Sequence, residues 1–422
     1  MKKLLSLLQA QKDISGYRVA KTRTVSHELF FVHKKLETVR ATDTVKYLAT
    51  VYVDHDGFRG DSSFAYHDSL TEDECLAKIN AAKKRALLVN NQMYDLPAGG
   101  EYERKIGSNI DSYEPEKLGA MIADAVYAAD TVEGGSINAL EIFIYNDTLT
   151  VVNSRGVNKT QSINRVMIEA IPTFTDEKQS VELYEDYRFT EFDPEKITAE
   201  ISEKMREVKD RLTAAKPKVP LNINVVLRPK EISSIIKELA NDLNYTSIYR
   251  HTNLYKTGDD LQPGPDADKL TVTMKGRIKG SENSAYFDDD GLDLTDTVII
   301  KDGVVCGNFG SSTFGQYLGV DKPTGKLPCA KVKPGTLDSI DGDYLECVSM
   351  SGIQLDLYND YIGGEIRLAY YHCGNKITAV TGITMSGKLS QVLAKLRLSS
   401  KTDIFKAYEG PAYVVLKDMT VL

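Results

Sequence analysis

The chain has 422 residues, of which 42% are apolar and 27% charged, and its formal net charge is −8. A chain of this length is expected to form two domains, because single hydrophobic cores stop growing at about 250–300 residues. The acidic balance argues against nucleic acid as a direct partner, since phosphate contacts need clustered lysine and arginine. No apolar run approaches the ~20 residues of a membrane span. Five scattered cysteines without a CxxC pair indicate a cytoplasmic protein.

The first half of the chain is predicted to mix strands with helices. Residues 1–16 favour a short amphipathic helix, since their apolar run is too short for a secretory signal peptide. Residues 139–152 are expected to form a hairpin that turns at Asn146-Asp147. Residues 17–70 favour strands, because apolar side chains alternate there with the period of a half-buried strand. The alternating positions are Val45, Tyr47, Ala49, Val51 and Val53.

Three helix starts can be recognised in the same half. Thr71 and Glu74 have the spacing of a capping box, in which each side chain caps the backbone of the other residue. Pro115 opens a second stretch with helical spacing of apolar residues. Asp193 precedes a proline, which places a preferred N-cap before a proline at the first helical position.

The second half is predicted to be mostly β. The sequence KPKVP at 216–220 is the best linker candidate, and it divides the chain into an α/β-type domain at 1–220 and a mainly antiparallel β domain at 221–422. The first half mixes strands with helices, and the second half consists mainly of strands. This order of elements predicts an α+β fold. The expected elements are strands over 221–227, 270–279, 295–306, 364–371 and 376–384, and helices over 232–243 and 386–398.

The stretch Tyr286–Lys326 is the richest in candidate site features. Asp288-Asp289-Asp290-Gly291 suggests a calcium loop, but the ligand set fails further along the loop, so a turn is the better interpretation. Asp302-Gly303 lies between β-branched residues and predicts a tight hairpin. The loop at 307–313 is rich in glycine and serine, which would let another backbone come close.

Two other motifs fall short of known sites. Gly382–Lys388 approaches a phosphate-binding loop, but Leu389 stands where that loop needs serine or threonine. His27 and His33 suggest a zinc-protease motif, yet they lie six residues apart in a strand-like run instead of four apart on a helix. Neither motif supports a nucleotide or metal site.

The second half of the chain resembles the TldD/TldE (PmbA) family of peptide-processing proteins, which are also described as modulators of DNA gyrase. The resemblance extends over about 175 residues, and the matching pieces occur in the order that the family shows. Residues 1–220 fit the family in general pattern, with Asn153–Gly156 similar to its NSxG. The matching pieces are Tyr249–Leu254, Asp288–Gly291, Lys301–Gly303, Tyr317–Gly319, Thr324-Gly325, Asp360–Arg367, Gly382–Gly387 and Met419–Val421.

The resemblance also bears on metal binding. One subunit type of the family, TldD, carries zinc on a helical HExxxH motif and a cysteine near the C-terminus. The equivalent helix here is Ile235–Leu243, where Glu238 remains but Lys237 and Asp242 stand in place of the histidines. The stretch Ala407–Val415 holds no cysteine. Since catalytic zinc needs three protein ligands, the resemblance implies a TldE/PmbA-like member with no metal site and no cofactor.

The implied function is that of a non-metal subunit of a peptide-processing metalloprotease. Such a subunit pairs with a TldD-like zinc subunit, or with itself, and forms part of a cavity wall. Extended peptides or unfolded proteins would enter the cavity and bind through main-chain hydrogen bonds to a sheet edge. The residues expected to bind the peptide are Arg250, His251, Asn253, Ser312 and Thr313.

Two alternatives remain open at the level of sequence. One is a stand-alone zinc-dependent metallopeptidase of the same family, with an unorthodox site made from Glu238, His251 and Cys373. The other is a homodimeric peptide-binding protein without catalysis.

Overall fold

A computed structural model describes all 422 residues of the chain. The strands before residue 220 form one large sheet, and those after it form two further sheets. The α+β fold class is therefore confirmed, while the division into domains at residue 220 stays a prediction. The strands of the first sheet are β1 (Gly16–Val32), β2 (Lys35–His55), β3 (Phe58–Tyr66), β4 (Glu101–Lys105), β5 (Gly135–Asn153), β6 (Asn158–Thr175), β7 (Ser180–Glu182) and β8 (Glu185–Phe189).

The first sheet has the order β3-β2-β1-β5-β6-β4, and β7 and β8 also pair with β6. Its neighbouring strands are antiparallel, except that β4 runs parallel to β6. The strands predicted over 17–70 are confirmed as β1, β2 and β3. Tyr47, Ala49, Val51 and Val53 are buried as the alternation predicts. Val45 is exposed, because it lies outside the buried core to which Tyr47, Ala49 and Val51 belong.

The predicted hairpin turn at Asn146-Asp147 is wrong, because β5 runs through both residues without interruption. Strands β1 and β6 flank this part of β5 and supply polar partners to its side chains. The Asp147 carboxylate accepts hydrogen bonds from the Thr24 hydroxyl at 2.6 Å and from Arg165 Nε at 2.7 Å. The reversal comes later, at Ser154–Gly156, because cross-strand partners outweigh the local turn preference of Asn and Asp.

Four α-helices and one short 3₁₀ turn (Asn109–Ser112) belong to the first half. The predicted caps are confirmed: the Thr71 hydroxyl accepts from the Glu74 N–H, and the Asp193 carboxylate accepts from the Lys196 N–H. The first two helices enclose a core with β1–β3, and the next two enclose another with β5 and β6. The helices are α1 (Lys2–Gln9), α2 (Glu72–Ala86), α3 (Pro115–Ala128) and α4 (Pro194–Thr213).

The second half contains four further helices and thirteen strands. The helices are α5 (Pro229–Asp242), α6 (Tyr245–Tyr249), α7 (Ser312–Tyr317) and α8 (Leu389–Leu393). The strands are β9 (Leu221–Leu227), β10 (Val272–Lys275), β11 (Thr297–Lys301), β12 (Val304–Val305), β13 (Cys329–Val332), β14 (Tyr344–Asp356), β15 (Tyr361–Cys373), β16 (Lys376–Val380), β17 (Ile383–Lys388), β18 (Arg397–Leu398), β19 (Thr402–Phe405), β20 (Tyr408–Pro411) and β21 (Val414–Val421).

These strands form two sheets that share one large core. One sheet has six strands in the order β12-β11-β10-β13-β20-β19. The other has seven strands: six follow the order β14-β9-β21-β17-β15-β16, and β18 pairs with β21. This sheet closes on itself because β14 also pairs with β15. The apolar side of α5 packs into the core between the two sheets. No helix of the chain is long and apolar enough to cross a membrane.

Two predictions near the C-terminus need correction. The strand predicted over 376–384 is two strands, β16 and β17, because Gly382 takes a positive φ of 67° between them. The helix predicted over 386–398 is only α8. Its expected first residues, Ser386 and Gly387, belong to β17 instead, where they pair with β15, so sheet hydrogen bonding replaces the helical start.

The aspartate-rich turn Asp288–Asp290 joins the two halves of the chain. The buried Asp288 carboxylate accepts from the N–H groups of Leu292 and Lys326, as a turn-forming aspartate does. Asp290 forms an ion pair with Arg18 of β1, and it also pairs with the Lys326 ammonium at 2.8 Å. The interpretation as a turn is therefore confirmed, and the acidic residues help to dock the turn onto the first sheet.

Candidate functional site

A cleft of about 500 Å³ opens beside α5. Its floor is the polar side of the helix, where Ser233, Lys237 and Asn241 follow one another at intervals of one turn. Strand β13 and the turn between β19 and β20 form the opposite wall. We call this space the α5 cleft; its remaining lining residues are Ala240, Asn244, Met274, Asn283, Phe309, Lys326, Leu327, Pro328, Cys329, Ala330, Phe405, Lys406, Ala407 and Tyr408.

The sequence of α5 explains how the cleft arises. Pro229 occupies the first turn, where the missing N–H is no loss to the helix. Apolar side chains at helical spacing then face the core, which turns the polar side of the helix outward. The buried apolar residues are Ile232, Ile235, Ile236 and Leu239. Polar groups therefore line the cleft on the helix side, and apolar groups dominate the opposite wall.

The polar groups of the α5 cleft fall into two sets. Two lysines already form ion pairs within the chain. Lys326 pairs with Asp289 and Asp290, and Lys406 pairs with Asp186 at 2.9 Å. Three exposed side chains have no partner within the chain: Lys237 lies in no ion pair, and the side-chain amides of Asn241 and Asn283 make no hydrogen bond. These free groups can bind a ligand without first breaking contacts within the protein.

The thiol of Cys329 also lines the cleft, and the sequence analysis did not identify it as a site residue. Its thiol is buried and lies 3.8 Å from the Ser281 hydroxyl. Burial raises the pKa of the Cys329 thiol to about 11, so the group is neutral near pH 7. A neutral buried thiol is a poor nucleophile and a poor metal ligand. The contact between β13 and β20 that brings it to the cleft is long-range, and no local sequence signal indicates it.

The residues of the α5 cleft do not fit the zinc ion that the resemblance associates with TldD. The lining contains no histidine, aspartate or glutamate, whereas catalytic zinc needs three protein ligands. Lys237, which the resemblance places at the first histidine, presents an ammonium group to the cleft. Asp242, at the place of the second, is buried and accepts hydrogen bonds from the N–H groups of Leu254 and Tyr255 at 2.7 and 2.9 Å. Glu238 is exposed outside the cleft.

The five residues predicted to bind peptide lie around α6 and α7. The Arg250 guanidinium follows α6 and lies 5.8 Å from the ring centre of Phe314 in α7. Ser312 and Thr313 form the first turn of α7, and the Ser312 hydroxyl accepts a hydrogen bond from Gln316. Helix packing therefore places Arg250 near the glycine-rich loop. None of these three residues lines the α5 cleft.

The other two predicted residues have different surroundings. His251 is exposed and takes a positive φ of 56° just after α6. The Asn253 side chain donates to the Tyr255 carbonyl at 2.9 Å and so stabilises its own loop. Both residues lie outside the α5 cleft. Their role in peptide binding stays a prediction.

The structure also locates the unorthodox zinc ligands of the alternative hypothesis. The Cys373 thiol donates to the Asp343 carboxylate at 3.2 Å at the end of β15. Cys373, Glu238 and His251 do not come within reach of one ion. The group of potential ligands that does lie close enough together is Asp288–Asp290, whose carboxylates already contact backbone amides, Arg18 and Lys326.

The α5 cleft belongs to a part of the chain with recognisable relatives. Residues 220–422 match the family model of the PmbA/TldA metallopeptidase C-terminal domain. Residues 220–422 therefore belong to the PmbA/TldD family. The resemblance found in the sequence is thereby confirmed. No curated protein matches the chain in sequence.

Three solved structures share the fold of this protein over almost the whole chain. TldE from Thermococcus kodakarensis has 13% sequence identity and a TM-score of 0.80, with 99% of each chain covered. A proposed modulator of DNA gyrase from Bacteroides thetaiotaomicron has 15% identity and a TM-score of 0.81, covering 100% of this chain and 98% of that one. A similarly described protein from Thermotoga maritima has 14% identity and a TM-score of 0.77, covering 100% and 99%.

Proposed function

We propose that this PmbA/TldD member is a TldE-like, non-metal subunit of a peptide-processing metalloprotease system. In this role the chain binds extended peptides and forms part of the wall of the cavity in which they are cleaved. A partner subunit of TldD type supplies the zinc ion and the catalytic chemistry. The observation that carries the proposal is the lining of the α5 cleft.

The lining favours binding over catalysis by the chain itself. At the position where the resemblance places HExxxH, the cleft presents Lys237 and Asn241. A lysine ammonium repels a divalent cation, and without zinc Glu238 has no polarised water from which to remove a proton. The buried Cys329 thiol is held in its neutral form. The cleft is nevertheless open and within the volume range of small-ligand and peptide sites.

An extended peptide also has suitable backbone partners here. Strand β19 is the edge of the six-stranded sheet and pairs with β20 on one side only. The last residue of β19, Phe405, and the turn that follows it, at Lys406 and Ala407, line the α5 cleft. A peptide that adds to such an edge gains main-chain hydrogen bonds, which give affinity with little sequence preference. The free amides of Asn241 and Asn283 provide further donors and acceptors for peptide groups.

The test compares the chain alone with the chain mixed with a TldD-type subunit that carries HExxxH. Alone, we expect less than about 0.1 equivalent of zinc and no cleavage of an unstructured peptide. With the partner, we expect a complex of higher molar mass by light scattering and peptide cleavage that a chelator abolishes. Restoring histidine at one position only, with Lys237→His, should not create activity in the chain alone.

Two results would contradict the proposal. Near-stoichiometric zinc with chelator-sensitive cleavage by the chain alone would support the stand-alone metallopeptidase. A stable homodimer that binds peptide but never associates with a TldD-type subunit would support the peptide-binding protein without catalysis.

A further inference from the structure

The α5 cleft has an unbalanced charge. Three lysines line it, at positions 237, 326 and 406, and no carboxylate does. Lys326 and Lys406 are neutralised by aspartates outside the cleft, but the Lys237 ammonium has no counter-ion. A cationic group in a concave site attracts an anionic ligand group, because low-dielectric walls strengthen the local field.

The neighbours of Lys237 select the kind of anion. Asn241 lies one helical turn further along α5, and Asn283 belongs to the lining of the same cleft. Each has a free side-chain amide that can donate a hydrogen bond to an anionic oxygen. One ammonium and two neutral amides match a singly charged carboxylate better than a phosphate, which would need more positive charge or arginine forks.

The remaining walls favour a carboxylate attached to an apolar group. Phe309, Leu327, Phe405 and Met274 bring aromatic and aliphatic surface to the cleft. Burial of an apolar side chain against these walls would add to the charge interaction in proportion to the apolar area removed from water. The combination of a carboxylate with an adjacent apolar side chain occurs at the C-terminal end of a peptide.

We infer that the α5 cleft binds the carboxylate group of a peptide, with the Lys237 ammonium as counter-ion and the Asn241 and Asn283 amides as hydrogen-bond donors. The inference rests on the proposed peptide-binding function and specifies which part of the peptide enters the cleft. A lysine thus holds a peptide carboxylate at the position where the TldD motif would place a zinc ligand.

The test uses three fluorescent, unstructured peptides of one length, measured by anisotropy against the full chain. The first has an apolar last residue and a free carboxylate, the second is its C-terminal amide, and the third is the amide with one internal glutamate. We expect the free acid to bind about tenfold more tightly than the amide, as a charge-assisted hydrogen bond predicts. Lys237→Gln should reduce this preference to about twofold or less.

A matched control comes from the same helix. Lys230 is exposed on α5 but does not line the cleft, so Lys230→Gln should leave the preference unchanged. Asn241→Ala provides a second variant and should reduce the preference in part. All three positions are exposed, and unchanged thermal unfolding would show that each variant folds.

The outcomes separate the inference from the proposed function. Equal binding of all three peptides would overturn the inference and leave peptide binding intact. Binding of none would contradict the proposed function itself. If the glutamate peptide binds as tightly as the free acid and Lys237→Gln weakens both, the cleft binds carboxylates from either source. If only the free acid binds more tightly than the amide, the cleft recognises the C-terminal carboxylate of the peptide.

Discussion

Arg228 and Glu207 form an ion pair, with 2.8 Å between guanidinium and carboxylate, that joins the residue before α5 to the inner side of α4. Glu207 is only 1% exposed, and the Lys204 ammonium is its other partner, at 2.7 Å. The same guanidinium also reaches Glu346 of β14 at 2.8 Å. The helix that carries the cleft is thus fixed at its start to elements of both halves of the chain.

Replacing Arg228 with methionine should destabilise the fold. The substitution keeps an unbranched side chain but leaves Glu207 with one cation in place of two. Removing one partner of a buried ion pair costs about 3 kcal/mol or more. We expect the midpoint of urea unfolding to fall clearly. For the control Lys395→Gln, which breaks the exposed pair with Asp418, we expect no measurable change. Equal shifts for the two variants would contradict this account.

Glu231 should make stability depend on pH. It is 5% exposed on the first turn of α5 and belongs to no ion pair. Burial raises the pKa of Glu231 above its ordinary value of 4.5, although its own N–H and nearby lysines partly oppose this. The folded protein therefore holds the proton more tightly than the unfolded chain, and this contribution to stability is lost as the pH rises above about 4.5.

The variant Glu231→Gln removes this titration. It should unfold at a higher temperature than the wild type at pH 7, and the difference should disappear near pH 4. Glu238→Gln, on the exposed side of the same helix, should show no such change between the two pH values. A wild type that is more stable than Glu231→Gln at pH 7 would mean that the buried carboxylate has a favourable partner.

Asp242 should act as a structural acceptor for the chain after α6. Its two carboxylate oxygens accept from the N–H groups of Leu254 and Tyr255. In Asp242→Ala both N–H groups lose their partner, at a cost of about 1–3 kcal/mol each if they stay buried. We expect faster hydrogen exchange of these two amides by NMR or mass spectrometry. Asp242→Asn keeps one acceptor oxygen and should give an intermediate rate. Unchanged exchange in Asp242→Ala would contradict the assigned role.

Gly291 should tolerate no larger residue. Its φ is +86°, and an added Cβ would lie 2.7 Å from a methyl carbon of Val157 in the loop before β6. Gly291→Ala therefore combines backbone strain of about 1–2 kcal/mol with overpacking of about 1–3 kcal/mol. Gly319 has a similar φ of +72° but open space around it, so Gly319→Ala should show the backbone effect alone. Equal losses of unfolding free energy would mean that the contact between the turn and Val157 relaxes without cost.

Features that depend only on neighbouring residues could be predicted from the sequence. The Thr71 capping box, the Asp193 cap and the Asp302-Gly303 turn each depend on a few neighbouring residues, and all three form as predicted. The family pattern in the second half was also readable, because its turns and glycines lie at fixed positions along the chain. The same pattern carries the interpretation that Lys237 stands where a TldD-type chain has a zinc ligand, and this placement stays a prediction.

Tertiary structure decided what depends on contacts between distant residues. Strands on both sides of β5 removed the hairpin expected at Asn146-Asp147, since neighbours far along the chain satisfied its polar side chains. The candidate site could likewise not be predicted from any one segment of the sequence, because residues of α5, of β13 and of the turn after β19 together line the α5 cleft. Sequence determined which polar groups α5 carries. Only the packing of the sheets against it decided that Lys237, Asn241 and Asn283 stay without partners, and burial raises the pKa of the Cys329 thiol further above neutral pH.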